Sequence, residues 1–380
     1  MVSVERCQHS TNCEGITMKI KSIQSQIVRL PVDEPLADGP PSGRAHNMFV
    51  TVRIETEDGV QGIGATFFGG VLSATLKGAI DQLGAMIIGE DPLRIEALTQ
   101  KLRTLAASAG PGGILTLAIS GIDMALWDLK GKYFGQSLGA MLGGLRERVP
   151  TYASGALVRN YSTDVILKSA QRLVERGFTQ MKTQMALPGD VTEAQEAERA
   201  RLTREAIGPD IDLMCDINQR WSVNQAIDVG RRVEDVHFFW LEDVTVHDDY
   251  TGLARVADAL ATPLASGECL YGITPFRHMI EAHSADIIMI DLIRVGGISN
   301  WMKVAALAEA FNLPVVSHLL PEIHVHLISA IANGLTVEYM PWSFRLFEEV
   351  PVPVNGELVV PTKPGLGLEF SRQLDRYVVS

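Results

Sequence analysis

Five acid–base side chains recur at a nearly constant interval along the second half of the chain. Asp216, Glu242, Glu268, Asp291 and His318 follow one another at spacings of 26, 26, 23 and 27 residues. Each closes a short apolar run, and so do Lys182 and Gln184 upstream and Glu338 downstream. If the period is one structural unit, all of these side chains return to the same rim. Three carboxylates converging there (Asp216, Glu242, Glu268) would repel one another and resist ionisation. A divalent cation removes the conflict. An all-oxygen set with few protein ligands suits Mg²⁺, with Mn²⁺ the competitor. Any one of these acids alone could equally cap a helix or sit in a solvated salt bridge; the argument rests on the shared register.

Asp291 and His318 fall on neighbouring runs. A carboxylate beside an imidazole fixes its tautomer and raises its basicity, which makes His318 a general base, or a general acid once protonated. Lys182 would face the same mouth as a cation for a bound carboxylate, or as a rim salt bridge. Glu338 could donate to a carboxylate oxygen if it is kept neutral, or could be structural. His324 and His326 are two apart on an expected helix and point different ways, so they make a poor metal pair. Gly62-Ile63-Gly64 lacks the strand–GxGxxG–helix order of a phosphate loop.

The elements that must position these groups are legible in the apolar rhythm. Runs at 149–154, 179–185, 211–218, 238–244, 263–269, 286–291, 313–319 and 336–340 alternate with helix-length segments. Eight βα units of this size suit a closed parallel barrel, whose site lies at the C-terminal strand ends. The barrel is thus expected over 148–340. Before it, 18–30 alternates as a strand, and Met48–Glu55 and Val60–Ala65 flank Asp58-Gly59, a hairpin signal. Helical periodicity fills about 71–133, which makes 18–147 an α+β domain. Its Pro- and Gly-rich loop at 33–47 is long enough to be a candidate lid. Residues 1–17 read as a polar leader, and 341–380 as a segment returning to the first domain.

Composition bounds the partners. The 380 residues carry 33 Lys+Arg against 45 Asp+Glu, a net charge of −12, which argues against nucleic acid. No apolar stretch approaches 18 residues, so no membrane span is expected. Four cysteines are too few for a disulfide scaffold, and the expectation is a reduced, cytoplasmic protein.

From about residue 18 onward these features resemble the enolase superfamily, in its mandelate racemase/muconate lactonizing enzyme-like branch. AISGIDMALWDLKGKYFGQSLGAMLGG (118–144) looks like that branch's cap-to-barrel helix, with Ser137 where Pro is usual. Asp216 in CDIN, Glu242 in WLED and Glu268 in SGE match its metal ligands. His318 and Asp291, the latter in DLIRVGG, match its dyad. Glu338 matches its eighth-strand glutamate and Asn218 its metal- or substrate-adjacent asparagine. The resemblance implies an α+β capping domain, with lid loops at 35–47 and 67–70, on a modified TIM barrel of (β/α)7β type. It also implies Mg²⁺, a small-molecule carboxylate substrate and a homo-oligomer between dimer and octamer. One position departs: the usual second-strand Lys-x-Lys is Lys182-Thr183-Gln184. Gln184 cannot accept a proton, so only the His318 face is armed. The expected activity is therefore dehydration of a sugar acid, an aldonate or aldarate, to a 2-keto-3-deoxy acid. A racemase, epimerase or cycloisomerase is the alternative, and a catalytically silent binding protein a third. Substrate contacts are expected from Asn218 and Gln184, from Arg44 and His46 in the lid, and from Arg159 after the first barrel strand; the lid pair could instead be solvated loop residues.

Overall fold

The computed structural model describes residues 18–32, 36–37, 46–67 and 69–379. The expected leader and Arg44 lie outside the described residues.

The chain opens with an antiparallel three-stranded sheet, β1 (Ile20–Pro31), β2 (His46–Thr56) and β3 (Gln61–Thr66), in that order. Helices α1 (Ser73–Ala85), α2 (Ile95–Leu105) and α3 (Gly113–Phe134) follow, then one short turn, α4 (Leu138–Met141). α3 is apolar nearly all round and buried along most of its length, as a helix packed on several sides must be. Gly62 and Gly64 let it lie directly on β3. A Cβ at either position would come within 2.2 Å of an α3 carbonyl oxygen, that of Ala125 or Gly121. The glycines that mimic a phosphate loop in sequence are a helix–sheet contact.

Eight parallel strands then close into a barrel. They are β4 (Arg148–Leu157), β5 (Gln180–Gln184), β6 (Asp212–Asp216), β7 (Leu241–Glu242), β8 (Leu264–Ser266), β9 (Ile287–Asp291), β10 (Val315–His318) and β11 (Gly334–Tyr339). Closure runs through β11 against β4, with Glu338 opposite Tyr152. Seven helices connect them: α5 (Thr163–Glu175), α6 (Glu193–Ile207), α7 (Val223–Arg232), α8 (Tyr250–Ala259), α9 (Thr274–Glu281), α10 (Ile298–Ala310) and α11 (Pro321–Ala330). This is the expected (β/α)7β arrangement. Several helix starts are set by sequence caps: Ser162, Ser222 and Asp249 accept a backbone N–H of the first turn, and Thr192 with Gln195 forms a capping box. The run at 238–244 gives only a two-residue strand, because Asp243 turns into the left-handed region (φ 42°) at once.

The C-terminal segment touches both halves. β12 (Glu357–Val359) adds antiparallel to β4, and Val28 bridges Val378 on β1. Buried Asp128 of α3 accepts the N–H groups of Ile63 on β3 (2.8 Å) and Leu366 (2.8 Å). His326 donates to the Leu366 carbonyl through Nε2 (3.0 Å) and accepts the Gly139 N–H at Nδ1 (3.1 Å). It is a packing residue, not a ligand. Among the described residues no helix is long and apolar enough to cross a membrane.

Candidate active site

The barrel interior is built in layers, and the site is the layer above the plug. Tyr152, Met214, Trp240, Ala265, Ile287, Met289 and Val316 form a buried apolar cluster inside the strands. Side chains repeat on one face every second residue. Two positions beyond the plug therefore point into the mouth: Ser154, Asp216, Glu242, Asp291 and His318. Lys182 and Gln184 join by register, opposite Met214 and Asp216, and Glu338 by its pairing with Tyr152.

Glu268 breaks the pattern, three residues beyond Ala265. Gly267 makes the correction with φ +130°, and a Cβ there would meet the Met289 carbonyl oxygen at 2.6 Å. The strand end is re-aimed by a position that only glycine fits.

All of these groups except Glu242 line a cavity of about 500 Å³. Its floor holds Ser154, Lys182, Gln184, Asp216, Glu268, Asp291, His318 and Glu338. The cap side adds Phe67, Gly69 and Leu117, and the segment after β11 adds Met340 and Trp342. The expected lid at 67–70 thus contributes described wall residues.

His318 Nδ1 lies 2.7 Å from Asp291 Oδ2, and its Nε2 lies 3.3 Å from Glu268 Oε2. The other oxygen of Asp291 accepts the N–H groups of Ile293 (2.9 Å) and Arg294 (2.6 Å). Burial alone would raise the Asp291 carboxyl, but His318 and Arg294 hold it below the usual range. Burial pulls His318 down, yet Glu268 and Asp291 outweigh it and lift the ring to about 9. Arg294 was not singled out from sequence. It donates to the Glu268 carbonyl (2.9 Å) and lines the cavity, and its place three residues after Asp291 was the available signal.

Lys182 is buried between two acids, 2.6 Å from Glu242 Oε1 and 2.8 Å from Glu338 Oε1. This corrects the expectation of a neutral Glu338. Burial favours its protonation, but Lys182 and His318 win and hold it at about 2. In this arrangement Glu338 is an acceptor, taking Ser154 Oγ–H (2.8 Å) and the Leu319 N–H (2.6 Å).

The three expected metal ligands are buried at this mouth. Asp216 accepts the backbone and side-chain N–H groups of Asn218 (2.7 and 2.6 Å). Glu242 accepts Trp240 Nε1–H (3.0 Å) besides Lys182. Burial pushes both carboxyls up, Lys182 opposes it, and mutual repulsion with Glu268 adds to the rise. A crowded all-oxygen set that resists its own ionisation is one that a hard divalent cation fits. In this arrangement Glu242 is turned onto Lys182, and the trio does not close to within 4.8 Å. Among the described residues the trio that does is Asp243, Glu268 and Cys269. That set is the poorer site. Burial pushes the Cys269 thiol up to about 12, which keeps it protonated and a weak ligand, and Asp243 is engaged by Ser266 Oγ–H (2.7 Å).

Gln184 accepts the Arg159 N–H through Oε1 (3.2 Å) and donates through Nε2 to Asp216 (3.3 Å) and Asn218 (3.2 Å). It lines the cavity opposite no base of its own. Arg159, expected to contact substrate, is placed otherwise. Its guanidinium donates to the carbonyls of Met185 (2.8 Å) and Asp216 (3.2 Å), so it ties β5 to β6 and does not line the cavity. His46 also stands outside. It accepts from Arg29 Nη2 (3.3 Å) and borders a small recess behind Phe67 and Trp342.

Comparison with known proteins agrees with this architecture. Residues 37–143 match the mandelate racemase/muconate lactonizing enzyme N-terminal domain, and 165–374 the enolase C-terminal domain-like family. L-talarate/galactarate dehydratase of Salmonella typhimurium is 30% identical over 94% of this chain and 91% of its own. 3,6-Anhydro-alpha-L-galactonate cycloisomerase of Streptomyces coelicolor is 32% identical, covering 93% and 98%. The crystal structure of L-talarate dehydratase from Polaromonas sp. JS666, complexed with Mg and L-glucarate, superposes with a TM-score of 0.88 at 32% identity, covering 96% of this chain and 98% of that one. Two matched domains in their proper order, on a barrel whose strand ends carry the expected acids and dyad, place the chain in the mandelate racemase/muconate lactonizing enzyme family of the enolase superfamily.

Proposed function

We propose that the protein is a Mg²⁺-dependent dehydratase of a sugar acid. It would remove the proton α to the carboxylate and the β-hydroxyl, leaving a 2-keto-3-deoxy acid. The observation that carries this reading is one-sided: the cavity carries an Asp291-bound imidazole on β10 and, on the non-adjacent strand β5, the amide of Gln184. Elimination needs one base and one acid, and His318 can serve as both in turn. Racemisation needs a base on each face, and Gln184 is none.

Asp216, Glu242 and Glu268 would hold the cation. When bound, it would supply positive charge against the substrate carboxylate as the α-proton leaves. Lys182 sits on the same side and adds a buried, fixed charge. Glu268 is the largest pull raising His318; once its charge is shared with a cation, the ring moves toward the neutral form that accepts a proton. Asp291 would keep that form's proton on Nδ1, so that Nε2, 3.3 Å from Glu268 here, would be the nitrogen that meets the substrate.

The relatives include a cycloisomerase as well as dehydratases, and a one-sided base also suits cycloisomerisation. The product separates the two. Incubation with Mg²⁺ and a library of aldonates, aldarates and their lactones should release a 2-keto-3-deoxy acid from at least one aldonate or aldarate. Ring opening or closure without loss of water, or α-deuterium exchange with no elimination, would overturn the dehydratase reading.

A further inference from the structure

We propose that His324, which does not line the cavity, is a positioning residue that clamps the peptide following His318. The inference rests on reading His318 as the base.

The chain turns immediately after β10. Leu319 has φ 56° and Leu320 φ 44°, two successive left-handed residues, neither a glycine. Such a pair costs free energy and persists only where the surroundings over-determine it. Here one peptide unit after another is gripped. The Leu319 N–H donates to Glu338 Oε2 at 2.6 Å. The Leu319 carbonyl accepts from His324 Nδ1 at 2.6 Å. The N–H groups of Ile323 and His324 both reach the Leu320 carbonyl at 3.0 Å.

A carbonyl only accepts, so Nδ1 must carry the proton. His324 is fully buried, its ring 5.9 Å from that of Trp301. Burial pulls it down to about 4, so the ring stays neutral at working pH. Among the described residues its Nε2 has no hydrogen-bond partner, and the Leu319 carbonyl is the side chain's one polar contact. Glu338 on the far side of the clamped turn is itself bonded to Lys182 and Ser154. A slack turn would therefore displace the base side and the carboxylate side of the cavity together. Misplacement of reacting groups by about 1 Å can cost on the order of 100-fold in rate.

The test compares two variants with the native enzyme. His324→Phe keeps a ring but removes the donor, while His324→Asn places an amide N–H near the Nδ1 position. His324→Phe should lower kcat by about 10- to 100-fold with KM within about twofold, and α-proton exchange into D2O should fall in step. His324→Asn should recover most of both. Native kcat in His324→Phe, or equal losses in two folded variants, would overturn the clamp. A readout needing no variant is ¹⁵N NMR of the histidine rings in the native protein. The Nδ1–H tautomer at His324 from about pH 5 to 9 is expected, and the Nε2–H tautomer would refute the proposal even where His324→Phe fails to fold. A native enzyme inactive on every sugar acid would instead count against the dehydratase reading, whatever tautomer is found.

Discussion

Asp291 Oδ2 and His318 Nδ1 are 2.7 Å apart on neighbouring barrel strands, paired in register residue for residue. If His318 is the base, this contact keeps a proton on Nδ1 and makes Nε2 the nitrogen that would accept. Asp291→Asn changes little in volume but offers an amide donor. An Asn N–H toward Nδ1 would stabilise the opposite tautomer, with the proton on Nε2, where the base must be bare. We expect kcat to fall on the order of 10³- to 10⁴-fold, as such tautomer errors do elsewhere. Steady-state kinetics beside a thermal melt checks this. A loss below tenfold in a folded variant would mean that Asp291 is not what orients the ring.

Gln184 lines the cavity from the non-adjacent strand β5. Its amide is held by Asp216, Asn218 and the Arg159 N–H. Replacing it by lysine restores a titratable group at that face. Gln184→Lys should acquire solvent-deuterium exchange at the α-carbon from the second side, seen by NMR as an epimeric substrate that the native enzyme, if it is one-sided, should not form. Dehydration need not improve. If no second stereoisomer appears in a variant that still dehydrates, the one-sided geometry is not what excludes epimerisation.

The regular part of this site was readable because period and register are physical. A strand repeats every two residues and a βα unit returns every 23 to 27 here, so Asp216, Glu242, Asp291 and His318 could be placed on one rim from spacing alone. Other assignments depended on tertiary partners that spacing does not carry. Glu338 reads as a possible neutral donor until Lys182 is seen 2.8 Å away. Arg159 reads as a substrate contact until its guanidinium is found spent on two carbonyls. His324 and His326 differ by two positions and do unrelated jobs, one at a turn and one at the C-terminal segment.

Glycine at 267 is a site determinant without a side chain. It carries φ +130°, and an added methyl would sit 2.6 Å from a backbone oxygen of β9. Neither backbone can yield cheaply, so Gly267→Ala should destabilise by about 1–3 kcal/mol. It should also swing Glu268 off the mouth and weaken Mg²⁺ binding. Calorimetric Mg²⁺ titration of folded protein, beside denaturant unfolding, measures the two effects separately. Unchanged Mg²⁺ affinity would remove Glu268 from the proposed ligand set, or show that its aim does not depend on Gly267.

Glu322 supplies a pH dependence independent of the chemistry. It lies in the first turn of α11 and is fully buried. Burial raises its pKa from 4.5 to about 7, with Ser343 and the backbone opposing weakly. The folded state therefore holds the proton more tightly than the unfolded state does. The stabilisation tied to that proton is fully present below about pH 4.5 and is lost as pH rises through about 7. A shift of this size corresponds to at most about 3 kcal/mol. The helix N-terminus favours the charged form and trims the figure. Unfolding free energy should thus contain a decline between about pH 5 and 8 that Glu322→Gln, uncharged at every pH, removes. Urea titrations of both proteins across that range test it. Parallel pH profiles for the two would mean that Glu322 keeps its charge in the fold and has a partner supplied by water.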